Sequence, residues 1–218
     1  MPMMTQSNEI TRVRVRYTKG DGLRFTGHLD LQRLWERLLR RSGLPVRYTQ
    51  GYHPRARLNL ASALPLGFVS DDELLDFWMD ESRPMEVVQT QLMASAPPGL
   101  EIRSVQGIEL SEDALQVQMK ASEFEVSFYD RLDEQEFAQK VDGLLSQPEI
   151  ITTRRKKTYD LRPLILDLKV IPYASGEIGL WMRLLAEPGA TGRPDDVLEA
   201  LGCPNTAYIV RRTKIILA

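Results

Sequence analysis

Hydrophobic and polar residues alternate strictly over Arg12–Thr18 (R-V-R-V-R-Y-T). In an extended chain Val13, Val15 and Tyr17 share one face and Arg12, Arg14 and Arg16 the other, which predicts a half-buried strand with an exposed basic face. After the turn Lys19-Gly20-Asp21-Gly22 the period changes. Over His28–Ser42, Leu31, Leu34, Trp35 and Leu38 fall on one stripe of a helix, and Arg33, Arg37, Arg40 and Arg41 on the opposite one. Gly43 stands where a glycine closes a helix, and Pro45 blocks continuation. A short strand at Leu44–Tyr48, a loop at Thr49–Pro54 and an extended piece at Arg55–Leu60 follow. A bent connector (Ala61–Ser70), a strand (Glu73–Met79), a helix opening on proline (Pro84–Ala94) and an alternating strand (Leu100–Leu110) complete a β-α-β-β-α-β order.

The second half repeats this logic. Glu123–Tyr129 reads as a strand, and Asp133–Ser146 as a helix with Phe137, Val141, Leu144 and Leu145 inward. Strands are expected at Ile150–Thr153, Leu164–Ile171 and, after the turn Ala174-Ser175-Gly176, Ile178–Leu185. A short helix at Pro194–Leu201, capped by Gly202, precedes a last strand at Tyr208–Leu217. This is β-α-β-β-β-α-β, one strand more than the first half. The simplest architecture is α+β, with two tandem ferredoxin-like βαββαβ units. They are placed at 11–110 and 121–218, with 111–120 as the linker.

The 218 residues suit such a pair of small domains, and 43% hydrophobic with 27% charged residues is ordinary for a soluble globular protein. No apolar run approaches the ~20 residues of a membrane span. Residues 1–10 lack the apolar stretch of a signal peptide and read as a frayed terminus, so a cytoplasmic location is expected. With Cys203 the single cysteine, an internal disulfide and a cysteine-ligated zinc or iron–sulfur site in one chain are excluded.

Charge changes the picture. Arg12–Arg57 holds twelve arginines and lysines against three acids, so this stretch is +9 and the remainder −11. Such a lobe suggests an anionic partner, RNA first. The arginine stripe is also matched to the dipole at a helix C-terminus, which explains it without a ligand.

Three constellations bear on chemistry. Phe25–Leu31 (F-T-G-H-L-D-L) has Gly27 for a tight turn, Thr26 or His28 as cap and Asp30 in the first turn; capping accounts for it, or His28 sits beside a bound phosphate or base. Gly51–Arg57 (G-Y-H-P-R-A-R) interleaves stacking faces, Tyr52 and His53, with the guanidinium forks of Arg55 and Arg57, a pattern suited to single-stranded or irregular RNA. Thr153–Pro163 carries four consecutive bases, Arg154, Arg155, Lys156 and Lys157, either a solvated loop or a nucleic-acid patch, with Asp160 and Arg162 placed to pair. His28 and His53 are the two histidines. Brought together they would serve as base and acid in RNA cleavage through the 2′-OH, or share a metal with Asp30. Phosphate-loop, dinucleotide and hydrolase motifs are absent. Asp71-Asp72 and Asp195-Asp196 sit where turns or helix starts are expected, and Cys203 at a helix end.

The runs R-F-T-G-H-L-D-L-Q-R-L-W-E-R-L-L-R-R-S-G-L-P (Arg24–Pro45) and Y-T-Q-G-Y-H-P-R-A-R-L-N-L-A-S-A-L-P-L-G-F-V-S (Tyr48–Ser70), with K-T-Y-D-L-R-P-L-I (Lys157–Ile165), are similar to a bacterial radical-SAM-associated family, a domain of unknown function. The resemblance implies a radical SAM protein as partner, fused or encoded beside it. That partner would carry the iron–sulfur cluster and S-adenosylmethionine, and its cobalamin-binding-like region implies cobalamin as well. This chain lacks the C-x-x-x-C-x-x-C of such a cluster, so it resembles the stand-alone form and needs no cofactor of its own.

The reading adopted is a non-catalytic RNA-binding adaptor that presents tRNA or rRNA to that enzyme. Arg14, Arg16, Arg33, Arg37, Arg40, Arg41, Arg55, Arg57, Arg154, Arg155, Lys156 and Lys157 would contact phosphates, and Tyr52 and His53 a base or sugar. The alternatives are an endoribonuclease using His28 and His53, and a protein-docking module without RNA contact.

Overall fold

The computed structural model describes residues 10–154, 156–173, 175–203 and 208–218. The chain is α+β and divides into two compact units, the boundary falling between Val117 and Gln118. The expected frayed terminus, residues 1–9, lies outside the described residues. So do Arg155 of the basic run and Ala174 of the expected turn.

In unit 1, β1 (Thr11–Lys19) leads to α1 (His28–Arg41), β2 (Leu58–Leu60), β3 (Val69–Met79), α2 (Met85–Ser95) and β4 (Ile102–Ile108). The strands lie in the order β2-β3-β1-β4, and every neighbouring pair is antiparallel. One face of the sheet carries the core. Val13, Val15 and Tyr17 of β1 and Leu75, Phe77 and Met79 of β3 pack against Leu31, Trp35, Leu38 and Leu39 of α1 and Val88 and Leu92 of α2. The Tyr17 and Trp35 rings meet edge to face at 4.8 Å. α1 ends as the sequence predicts, with Gly43 in the left-handed region at φ +69°.

The other face of β1 departs from expectation. Arg12 and Arg14 are 3% and 6% exposed, not a solvated row. Asp76 of β3 is fully buried between them. It accepts from Arg12 Nε and Nη2 at 2.9 and 2.6 Å, and from Arg14 Nε and Nη2 at 2.8 and 3.0 Å. Arg12 also donates to the carbonyls of Glu112 and Asp113, at 2.6 and 2.7 Å. Arg16 pairs with Asp72, and Lys19 Nζ is buried against the carbonyls of Phe68 and Arg24. The cause is register. Arg14 lies directly opposite Asp76 in the β1–β3 ladder, so the two side chains emerge on one face. β3 therefore begins earlier than expected, and Asp71-Asp72 belong to it and not to a turn.

Two further differences concern loops. Leu44–Tyr48 forms only isolated bridges, Val46 to Met79 and Tyr48 to Ala56. The segment read as a linker contains α3 (Leu115–Gln118), and Gln116 Nε2 donates to the Leu60 carbonyl at 2.5 Å.

In unit 2, β5 (Met119–Phe128) and α4 (Glu134–Leu145) precede β6 (Ile151–Arg154), β7 (Lys157–Asp160), β8 (Ile165–Pro172), β9 (Ile178–Glu187), β10 (Ala190–Thr191), α5 (Pro194–Ala200) and β11 (Tyr208–Leu217). β11, β5, β9 and β8 lie side by side, antiparallel throughout, with β10 returning on β9. The Asp133 carboxylate caps α4 by accepting from the Glu136 backbone at 2.8 Å. Phe137, Val141 and Leu144 of α4 are buried, and Phe137 meets Phe128 at 5.4 Å. The extra material is a hairpin, since β6 pairs with β7 apart from the main sheet. Lys156 in its turn has φ +69°.

Candidate functional site

The basic stripe of α1 stands where the sequence places it. Its apolar positions are consumed by the core, so Arg33, Arg37, Arg40 and Arg41 project outward and are exposed. Arg33 approaches Asp30 at 3.4 Å in an exposed pair, and Arg41 donates to the Ser95 carbonyl at 3.0 Å. Arg37 and Arg40 keep solvated guanidinia.

The loop after α1 is pinned at its base. The Thr49 amide donates to the Arg55 carbonyl at 2.8 Å, and the Arg55 amide to Thr49 Oγ1 at 3.1 Å. Tyr52 at its tip is 98% exposed and touches His53 edge to face at 5.6 Å. Arg55 is exposed. The Arg57 guanidinium lies 4.4 Å above the Trp78 ring.

Arg57 also marks a cleft of about 530 Å³ lined by Ile10, Arg12, Asn59, Trp78, Leu110 and Glu112 as well. Arg57 and Asn59 are two apart on an extended segment, so they share a side. The Arg12 guanidinium lies 5.5 Å from the Trp78 ring centre. Sequence reasoning missed this cleft. Trp78 reads as an ordinary core residue of a strand, and Glu112 as part of a linker. The available signal was the Arg57-x-Asn59 spacing.

His28 opens α1, after Gly27. Neither Thr26 nor His28 supplies a side-chain cap, because the N-cap residue is Gly27 itself. His53 sits on the loop hung from the far end of α1, a helix of about 20 Å. The histidines are thus placed at opposite ends, and His53 has Tyr52 as its ring neighbour. The metal site with Asp30 is not formed: among the described residues no group of three or more His, Cys, Asp or Glu could hold a metal ion.

In unit 2 Arg154, Lys156 and Lys157 lie at the tip of the β6–β7 hairpin. Lys156 and Lys157 are exposed. Arg154 is committed to Asp196 at 2.8 Å and approaches Asp195 at 3.8 Å. The Tyr159 hydroxyl donates to the other oxygen of Asp196, and burial followed by that bond pushes its phenol up to about 12. Burial also raises the Asp195 carboxyl. Asp160 and Arg162 do not form the expected side-chain pair. Asp160 accepts from the backbone amides of Ile150 and Arg162, while the Arg162 guanidinium donates to the Leu145 and Ile165 carbonyls. Cys203 follows α5, buried, its thiol pushed up by burial.

A family model described as "Uncharacterized protein conserved in bacteria (DUF2344)" matches residues 12–194. Among solved structures the chain is similar to one of a Cbf5–Nop10–Gar1 complex, at 8% identity and a TM-score of 0.49, covering 94% of this chain and 48% of that one. A structure of the archaeal box H/ACA sRNP Nop10–Cbf5 complex gives 8% identity and a TM-score of 0.45, covering 99% and 50%. The chain spans about half the length of these structural neighbours. Comparison with curated proteins gives no match. Among the described residues no helix is long and apolar enough to cross a membrane.

Proposed function

The chain belongs to the DUF2344 family of uncharacterised proteins conserved in bacteria, and we propose that it is a non-catalytic RNA-binding adaptor. Its two units are variants of the ferredoxin-like βαββαβ fold, a reading supported by the antiparallel orders β2-β3-β1-β4 and β11-β5-β9-β8. The adaptor presents tRNA or rRNA in the cytoplasm to a radical SAM enzyme acting in trans, as the resemblance of its sequence implies. The observation that carries RNA binding is the loop at Tyr52. An aromatic side chain left almost wholly in water, beside His53 and the solvated Arg55, costs a fold something and serves no packing within the unit. Arg33, Arg37 and Arg40 extend the same unit's positive surface. Arg14 is withdrawn from the contact set by its burial against Asp76, and Arg16 by its pairing with Asp72.

The test is fluorescence anisotropy with labelled tRNA and rRNA fragments at 50 and 200 mM salt. About three or four neutralised phosphates on a single strand lower affinity roughly 20- to 50-fold across that range. Arg37→Glu with Arg40→Glu removes most binding, and Tyr52→Ala weakens it at both salts. Absence of binding at 50 mM salt refutes the reading.

One observation favours protein docking instead. Phe25, Leu29 and Leu66 are 77%, 68% and 64% exposed at the N-terminal end of α1, where the Gly67 amide donates to the Arg24 carbonyl and Arg24 Nε to the Gly67 carbonyl, holding the two loops together. That reading predicts capture of the partner enzyme without RNA affinity. The endoribonuclease reading lacks such support, with His28 and His53 at opposite ends of α1.

A further inference from the structure

We infer that the cleft beside Trp78 is a binding pocket for a single ribonucleotide, either free or splayed out of a single-stranded RNA. The inference rests on the RNA reading only for the second source. The cleft is about 530 Å³, within the usual range for small-molecule sites and roomy enough for one nucleotide. Its walls combine three chemistries that a nucleotide requires. Arg57 supplies a flat cationic plane. Its guanidinium is seated 4.4 Å from the Trp78 ring centre, so the indole fixes its orientation, and it lines the cleft. Guanidinium planes of this kind stack on unpaired bases. Asn59, on the same side of the same segment, lines the cleft and carries an amide. An amide offers donor and acceptor together, the pair that reads a base edge. Glu112 lines the cleft with a carboxylate that is 41% exposed, the acceptor suited to ribose hydroxyls. Ile10 and Leu110 give the apolar contact for the base.

The ion pairs beneath the cleft fix its floor. Arg12 and Arg14 share the carboxylate of Asp76, and Arg14 also approaches the Glu112 carboxylate at 4.0 Å, so the two cations under the Trp78 side are held between two acids. The arrangement is rigid, because Arg12 is held by Asp76 and two backbone carbonyls. A phosphate entering beside Arg57 therefore meets one oriented guanidinium on a fixed plane, with little to reorganise.

The experiment titrates the whole chain with the four ribonucleoside 5′-monophosphates and their 2′-deoxy counterparts. It follows the Trp78 indole N–H by NMR, assigned with Trp78→Phe. A short single-stranded RNA is titrated in parallel by anisotropy. Saturable movement of the Trp78 signal by at least one ribonucleotide, with weaker binding of its deoxy form, is the expected result. Arg57→Ala weakens binding at least about fivefold, and Arg57→Lys, which keeps charge but not the plane, does nearly the same. Asn59→Ala changes the order of preference among bases. Glu112→Gln narrows the gap between ribo and deoxy forms. Lys140→Ala, on the exposed face of α4 in unit 2, leaves all of this unchanged.

RNA binding without any mononucleotide response at Trp78 overturns the pocket and leaves the adaptor reading standing. Mononucleotide binding without RNA binding supports the pocket, names free nucleotide as the ligand and sinks the adaptor reading. Failure of both probes overturns both. Mononucleotide binding indifferent to Arg57 and Asn59 overturns the pocket as drawn here.

Discussion

Asp76→Ala tests the claim that the basic strand β1 is a buried structural element. The carboxylate is fully buried and takes four hydrogen bonds from Arg12 and Arg14, themselves 3% and 6% exposed. Its removal leaves two buried guanidinia side by side, with the Glu112 carboxylate, 4.0 Å from Arg14, as a remaining counter-charge. Breaking one buried pair by deleting a partner costs about 3–5 kcal/mol, and two stranded cations place this site at the upper end. At about 3–4 °C per kcal/mol, for a unit of this size, the melting temperature falls by roughly 10–20 °C. The assay is thermal unfolding followed by tryptophan fluorescence. Trp35 and Trp78 report unit 1 and Trp181 reports unit 2. Asp76→Asn loses less, because a carbonyl acceptor remains. Combining Asp76→Ala with Arg12→Met and Arg14→Met restores much of the loss, since apolar groups of similar volume replace a buried ionic cluster at little cost. A fall of under about 2 °C for Asp76→Ala would mean that water reaches both arginines, and the closed face inferred for β1 would be wrong.

Two other predictions concern unit 2. A Cβ on Gly192 would stand 2.9 Å from the Leu164 carbonyl oxygen and 3.0 Å from Leu184 Cβ, whereas one on Gly143, within α4, meets nothing within 4 Å. Gly192→Ala is thus destabilising by about 1–3 kcal/mol, and Gly143→Ala stabilising by about 0.5–1 kcal/mol; denaturant melts that rank them the other way refute the packing at β9. The Tyr159 phenol, raised by burial and by its bond to Asp196, ionises at about 12. Folding favours the neutral phenol, so its contribution to stability is intact below the ordinary tyrosine range and is lost as pH rises from about 10 towards 12. In an ultraviolet titration Tyr159→Phe should delete a late-ionising phenol, and deletion of one that titrates near 10 would contradict the network.

Local periodicity carried the elements well and their partners poorly. The stripe Leu31, Leu34, Trp35, Leu38 located α1 because a helix repeats every 3.6 residues whatever lies outside it. The Gly43 stop was legible for the same reason: it acts within a few residues of itself. β1 was located equally well, yet its environment was not. Alternation tells which residues share a face and leaves open what covers each face. The counter-charges of Arg14 and Arg16 lie more than fifty residues on, at Asp76 and Asp72. No window short enough to show a period contains both ends of that pairing.

The same separation governs the candidate site. A net charge of +9 over Arg12–Arg57 counts cations by their place in the sequence, while a ligand meets them by their place on the surface. Register with β3 buries Arg12 and Arg14, Arg16 is paired with Asp72 while still 40% exposed, and Arg47 is held by Asp80 at 2.9 Å. What remains open to a partner is the group that the sequence reading ranked alongside them, the α1 stripe with Arg55 and Arg57. The arginines withdrawn from solvent still have consequences at the surface. By fixing Arg12 beneath Trp78 they make that ring a rigid support for Arg57. A buried ionic cluster that returns little net stability of its own can thus be retained for what it holds in place. In this chain the strand that read as the binding face is better understood as the foundation of the cleft beside it.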